Sequence, residues 1–455
     1  MSLSMIRAEA WAPHPSAAPV NDRPANEPTD GQYESATNGT LSCCGGWQFL
    51  FADVIPGHRY RISFNAVGTD LEEPTDALVG HVYWGEIATD CYAPGTATVW
   101  DYVTGEPDAS AGGSGGQTVR FSSDLVAPAD VSTATVRCTL RWTARGEVTW
   151  SVPVLEDLGA YTSRPSIRVA VASGSEAEGG EPRSSVADNL DRYASLAERA
   201  CGDHGAQLVA LPEICLQWKL PTHAYENAVD VPGAETERFS RIAQQHNAVI
   251  VVGLHERVGD AVYNSAVVID DDGEISGTYR KVHLASTEAI SGIMPGDGFP
   301  VMKTVVGQVG CTICMDSSAA ESARMVGLNG ADFLVLPIMG DHRASLWTPG
   351  SPRLDEDRWL CIQRTRALDN QLSMVVARNM GRGSCIIDRS GEVKAYNDGS
   401  QDLVVGDIEQ DDGYRKWNGG CFRQVNWRQR RPHLYGAYAS SAPEALRRLR
   451  EVPTA

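Results

Sequence analysis

The first third of the chain is built from short runs that switch between apolar and polar positions with a period of two. Such runs occupy 47–51, 59–67, 78–84, 118–121, 135–142 and 147–155. Clusters of Gly, Pro, Asp and Ser separate them, and no helical period persists. Alternation punctuated by turn residues predicts antiparallel strands, and this many of them predict a β-sandwich. The Gly/Ser stretch at 110–116 reads as a loop, and Cys43-Cys44-Gly45-Gly46 reads as a tight turn. Six of the eleven tryptophans fall in this region. A sandwich core would bury such rings, and any left exposed would offer a surface on which sugars stack.

The pattern changes at Pro165. Strand-like runs at 166–172, 208–213 and 249–254 alternate with helical periods at 187–200 and 236–246. An acidic, Gly-rich insert at 176–181 precedes the first helix. Runs at 262–270 and 275–281 form a hairpin around Asp270-Asp271-Asp272-Gly273. Strands alternating with helices predict an α/β sheet with helices packed on it. Three segments follow: residues 1–163 as a β-sandwich, 164–435 as an α/β domain, and 436–455 as an extension with a helical stretch at 442–450.

Composition narrows the function classes. At 455 residues two domains are expected, and 42% hydrophobic with 21% charged residues is the balance of a globular protein. A formal net charge of −19 argues against nucleic acid or an anionic membrane as partner. The longest clean apolar run, 248–254, is only strand length and far short of a membrane span. The N-terminus lacks the apolar segment of a signal peptide, and eleven cysteines suit a reducing, cytoplasmic setting. No cluster calls for a metal or another cofactor.

Three ionisable residues punctuate apolar runs in the second half. Leu208-Val209-Ala210-Leu211-Pro212 ends in Glu213, Tyr279-Arg280 leads into Lys281, and Val309-Gly310-Cys311-Thr312-Ile313 ends in Cys314. A thiol needs a base to become a nucleophile, and acyl transfer needs a positive partner for the oxyanion. A carboxylate, an ammonium and a thiol supply those parts. Cys311-Thr312-Ile313-Cys314 also spells C-x-x-C, but it lies on a strand-like run with no second pair, so a zinc or redox reading fails and Cys311 reads as core.

In order and context these segments resemble the nitrilase superfamily of carbon–nitrogen hydrolases. Tyr279-Arg280-Lys281-Val282-His283-Leu284, Cys314-Met315-Asp316 with Glu321 and Arg324 after it, and Gly330-Ala331-Asp332-Phe333-Leu334-Val335-Leu336-Pro337 all match its pattern. Arg364 to Asn370, the Asp388-Arg389-Ser390-Gly391-Glu392-Val393 segment and the Arg430-Arg431-Pro432 tail add to the likeness. Pro56-Gly57-His58-Arg59-Tyr60-Arg61-Ile62-Ser63-Phe64 is loosely similar to a jelly-roll, carbohydrate-binding-type module. The fold implied is a four-layer αββα nitrilase-type sandwich preceded by an antiparallel, jelly-roll-like β-sandwich, and the family usually dimerises or assembles further.

The resemblance implies roles as well. Glu213 is the base, Lys281 the oxyanion partner, Cys314 the nucleophile, and Glu288 an electrostatic aid to Lys281. The Met315 backbone N–H completes the oxyanion site. Trp218, His342 and Arg343 are candidate substrate contacts, Arg343 through a substrate carboxylate; His283 reads as structural. Met315-Asp316 stands where nitrile-cleaving members usually carry Trp-Glu, so a small linear amide or carbamoyl substrate is expected ahead of a nitrile. A non-catalytic binding or scaffold protein with a vestigial site is the reading from outside enzymes.

Overall fold

The period-two runs form two antiparallel sheets around one apolar core. The protein is described by a computed structural model, which covers residues 2–22, 32–87, 99–108, 116–175, 181–348, 351–410, 427 and 430–440. One sheet holds five strands and the other seven, and inward-facing Trp47, Phe49, Tyr60, Ile62, Phe64, Trp84, Phe121 and Trp150 fill the space between them. Trp142 is by contrast 53% exposed. The loop expected at 110–116, the insert at 176–181 and the helix at 442–450 fall wholly or mostly outside the described residues.

Two local expectations change. Cys44, Gly45 and Gly46 are not a turn but the start of the strand Cys44–Phe51. Both glycines have positive φ, and a Cβ on either would collide with a neighbouring strand's carbonyl, that of Trp11 or Cys138. Glycine is therefore used here for close backbone approach. The run at 147–155 divides into Glu147–Trp150 and Val154–Ala160, because Pro153 has no N–H to continue the ladder.

The chain separates into two compact units, Met1–Thr162 with Gly413–Ala455, and Ser163–Asp412. The tail, placed with the α/β half as far as 435 by sequence, thus groups with the antiparallel half. Arg431 and His433 each reach Asp76 at 3.6 Å, and the Arg431 guanidinium lies 5.9 Å from the Trp142 ring centroid.

The second unit runs in chain order β1 Ile167–Ala172, α1 Val186–Gly202, β2 Leu208–Ala210, α2 Ala234–His246, β3 Val249–Val258, β4 Ala261–Ile269 and β5 Ile275–Arg280. Its second half is β6 Val301–Thr304, β7 Gly307–Cys311, α3 Ala320–Leu328, β8 Phe333–Ile338, α4 Glu356–Asn370, β9 Ser373–Arg378, β10 Cys385–Ile387, β11 Val393–Tyr396 and β12 Leu403–Ile408. The sheets are ordered β5-β4-β3-β2-β1-β12 and β6-β7-β8-β9-β10-β11. Each has a parallel centre (β1, β2, β3 in one, β7, β8, β9 in the other) with antiparallel neighbours outside it.

Three apolar layers hold this unit. Tyr193, Leu196, Phe239 and Ile242 of α1 and α2 cover one sheet, and Ala323, Val326, Trp359 and Ala367 of α3 and α4 cover the other. Between the sheets lie Val169, Val171, Val251, Val268, Val309, Cys311, Phe333 and Val375. Helix, sheet, sheet and helix therefore stack as αββα, and Cys311 is core as expected. Among the described residues, no helix is long and apolar enough to cross a membrane.

Candidate active site

Parallel strands in an α/β sheet deliver their connecting loops to the carboxyl end, where sites collect. Glu213 follows β2, Lys281 follows β5, Cys314 follows β7 and Met339 follows β8. The turn after β2 passes so close to β3 that a Cβ at Gly253 would strike the Pro212 carbonyl and stand 3.0 Å from the Glu213 Cα. Cys314 has φ 45°, the left-handed region that non-glycine residues avoid. The sulfur is thus presented on a sharp elbow that starts the 3-10 turn Cys314–Ser318.

Lys281 is the centre of the charge arrangement. Its side chain is 1% exposed, and Nζ donates to Glu213 Oε1 at 2.9 Å and to Glu288 Oε2 at 2.7 Å. Burial works against its ammonium, but Glu213, Cys314 and Glu288 together hold its pKa above the ordinary value. Burial likewise opposes ionised Glu288, yet Lys281, the Asn264 amide and the Ala285 N–H hold its carboxyl below the ordinary value. Two of the three ammonium hydrogens are committed to carboxylates, which leaves one for a reacting oxygen.

The Cys314 thiol is pushed well up by burial and further by the negative charge of the Glu213 carboxylate. Lys281 and the Met339 N–H pull it back only in part. Sγ also lies 3.8 Å from the Gly340 carbonyl oxygen. The Met339 N–H donates to Glu213 Oε2 at 2.9 Å, one residue before the Gly340 carbonyl that the sulfur faces. The Met315 N–H lies in the first turn of the 3-10 helix, where N–H groups have no intrahelical partner.

Asn264, Asn379 and His255 were not singled out by sequence, and Asp316 was noted there only as part of the segment after Cys314. Asn264 Nδ2 donates to Glu213 Oε1 at 2.9 Å and to Glu288 Oε1 at 2.7 Å. Asn379 Nδ2 holds the Glu213 carbonyl at 2.9 Å. Asp316, fully buried, accepts from Tyr279 Oη at 2.6 Å, from the Ile313 N–H at 2.9 Å and from the His283 N–H at 2.9 Å. His283 Nδ1 meets the same carboxylate at 2.8 Å, so Asp316 ties the cysteine elbow to the lysine loop. His255 pairs with Asn264 across β3 and β4; burial, against the pull of Glu288, lowers its pKa to about 4 and keeps it neutral.

The expected substrate contacts fare differently. Arg343 Nε donates to Asp341 Oδ1 at 3.0 Å, and its terminal nitrogens reach the Ser317 and Ser318 carbonyls. The guanidinium therefore braces the cysteine elbow and is largely committed before any substrate carboxylate arrives. Trp218 is buried, its ring lies 5.6 Å from Lys219 Nζ, and its carbonyl accepts from Asn189. His342 opens the turn His342–Ala344, and its side chain lies outside what the structure describes.

Residues 168–416 match the family described as Carbon-nitrogen hydrolase, more than half of the chain. The chain belongs to the carbon–nitrogen hydrolase family. It is similar to omega-amidase NIT2 of Xenopus tropicalis, 32% identical over 241 residues that make up 49% of this chain and 83% of that one. A nitrilase of Pyrococcus abyssi is 36% identical over 210 residues, 44% of this chain and 74% of the other. A carbon–nitrogen hydrolase structure from Helicobacter pylori G27 overlays with TM-score 0.49 at 23% identity, covering 61% of this chain and 99% of that one. As a carbon–nitrogen hydrolase, this protein is an enzyme acting on C–N bonds outside peptides.

Proposed function

We propose that this carbon–nitrogen hydrolase cleaves a small linear amide or N-carbamoyl compound through a Cys314 thioester. The observation that carries the reading is the arrangement of Glu213, Lys281, Glu288 and Cys314 at the carboxyl ends of two facing sheets. As Sγ attacks the carbonyl carbon, Glu213 takes the thiol proton. The remaining Lys281 N–H and the Met315 N–H meet the oxyanion, a preorganised charge effect worth about 3–4 kcal/mol per donor. Glu213 returns its proton to the nitrogen, the C–N bond breaks, and ammonia leaves from an amide or the amine from an N-carbamoyl compound. Water then gives a proton to Glu213 and attacks the thioester, and the acid departs as the thiol is re-formed.

Met315-Asp316 after the nucleophile favours amide over nitrile, and relatives named omega-amidase are consistent with that preference. Ammonia release across linear amides, N-carbamoyl compounds and nitriles tests it, with mass spectrometry for an acyl adduct on Cys314. Turnover of amides or carbamoyl compounds with that adduct is expected. Ammonia from nitriles alone would move the substrate class, and an adduct on another cysteine would end the mechanism.

A further inference from the structure

We propose that Asn264 is a positioning residue that decides where the thiol proton can reside during catalysis. The inference rests on the hydrolytic reading above and extends it to a residue that touches neither nucleophile nor substrate.

The argument is a count of donors. Glu213 Oε1 accepts from Lys281 Nζ and from Asn264 Nδ2, both at 2.9 Å. Glu288 Oε2 accepts from Lys281 Nζ at 2.7 Å and from the Ala285 N–H at 2.8 Å, and Oε1 accepts from Asn264 at 2.7 Å. Glu213 Oε2 accepts the Met339 N–H at 2.9 Å. Lys281 and Asn264 each span both glutamates, so Glu213 Oε1 and Glu288 Oε2 carry two donors each, while Glu213 Oε2 and Glu288 Oε1 carry one each. Of the two oxygens with room for a proton, only that of Glu213 belongs to the carboxylate that acts on the Cys314 thiol, and the single donor on Glu288 Oε1 is Asn264. Asn264 thus keeps Glu288 in the acceptor role and leaves Glu213 Oε2 to take the proton from Cys314.

The orientation of the amide follows from the same chemistry. Turned over, its oxygen would face two carboxylates. As placed, Oδ1 is buried without a hydrogen-bond partner among the described residues, a cost that a merely space-filling side chain would not incur. Backbone geometry fixes the residue in turn. Asn264 lies on β4 opposite His255, and its carbonyl accepts the Lys281 N–H at 2.9 Å.

The test uses the full chain and does not depend on knowing the substrate. Alkylation of Cys314 by iodoacetamide is followed against pH by mass spectrometry of its peptide, in wild type, Asn264→Ala and Asn264→Asp. Removing one donor to an ionised carboxylate raises that carboxyl group's pKa. The acid-side break in the alkylation rate should therefore move up by about one pH unit in Asn264→Ala. It should move further in Asn264→Asp, where a third carboxylate competes for Lys281. On any amide the wild type cleaves, kcat should fall more than KM changes. A break that stays in place in folded variants, with only a uniform drop in rate, would overturn the proposal. Should Asn264→Ala fail to fold, Asn264→Ser, with a single O–H for the two carboxylates, should move the break in the same direction by a smaller amount. A wild-type profile with no acid-side break at Cys314 would instead defeat the hydrolytic reading itself.

Discussion

Burial and the nearby Glu213 carboxylate both raise the Cys314 thiol, so the proposed mechanism requires the sulfur to lose its proton as it attacks. A base within hydrogen-bond reach is then indispensable. Glu213→Gln should lower kcat by about three to four orders of magnitude, and Cys314→Ala should leave only background turnover with an unchanged fold. Wild-type-like ammonia release from folded Cys314→Ala would rule out the nucleophile assignment. Lys281 has a second duty, since its buried ammonium is paired with two carboxylates. Lys281→Met should cost about 3–5 kcal/mol of stability as well as activity, because it leaves buried charge uncompensated. Adding Glu213→Gln to Lys281→Met should return part of that stability, although activity stays lost. Denaturant unfolding of the four proteins in the cycle measures the coupling, and strict additivity would show that the two groups do not share a site.

The elements matter because they bring loops of different strands to one place, and Asp316 is the link between two of them. The Asp316 hydrogen bond, against the effect of burial, raises the His283 pKa above the ordinary 6.5. A raised pKa means the stabilising contribution is complete below 6.5 and is lost as pH rises through the folded value. The gap in melting temperature between wild type and His283→Asn should therefore be widest in mild acid and close toward alkaline pH. A gap that widens with pH would reverse the assignment. Glu288 has the opposite sign: its carboxyl pKa is depressed, so its contact with Lys281 stabilises above the ordinary 4.5 and fades as pH falls through the folded value. These contacts also show what a sequence makes legible. Glu213, Lys281 and Cys314 stand out because each interrupts an apolar run with a reactive group. Asn264 carries a fainter signal, its period-two parity with buried Ala266 and Val268 on β4. Every residue has a backbone N–H, so the Met339 amide has no signature at all. Arg343 looked available for substrate because sequence does not reveal that the Ser317 and Ser318 carbonyls lie beside it.

At the scale of the molecule, the change of pattern near Pro165 coincides with a change of architecture. Alternating short runs give two antiparallel sheets, and strand–helix alternation gives the αββα stack. What the sequence did not show is that the chain returns to the first unit, since Arg431 and His433 carry no mark of the Asp76 they meet. Every group in the proposed mechanism lies within Ser163–Asp412, which has its own three apolar layers and is long enough to bury them. A fragment of those residues should therefore fold and keep alkylation at Cys314 with the wild-type pH break. Activity per folded molecule on a small amide should stay within about threefold of the full chain. Circular dichroism establishes folding, and ammonia release per reactive Cys314 establishes activity. A well-folded fragment that has lost the chemical step would mean that the antiparallel unit or the tail supplies a group to the site, and the division of labour between the two units would have to be abandoned.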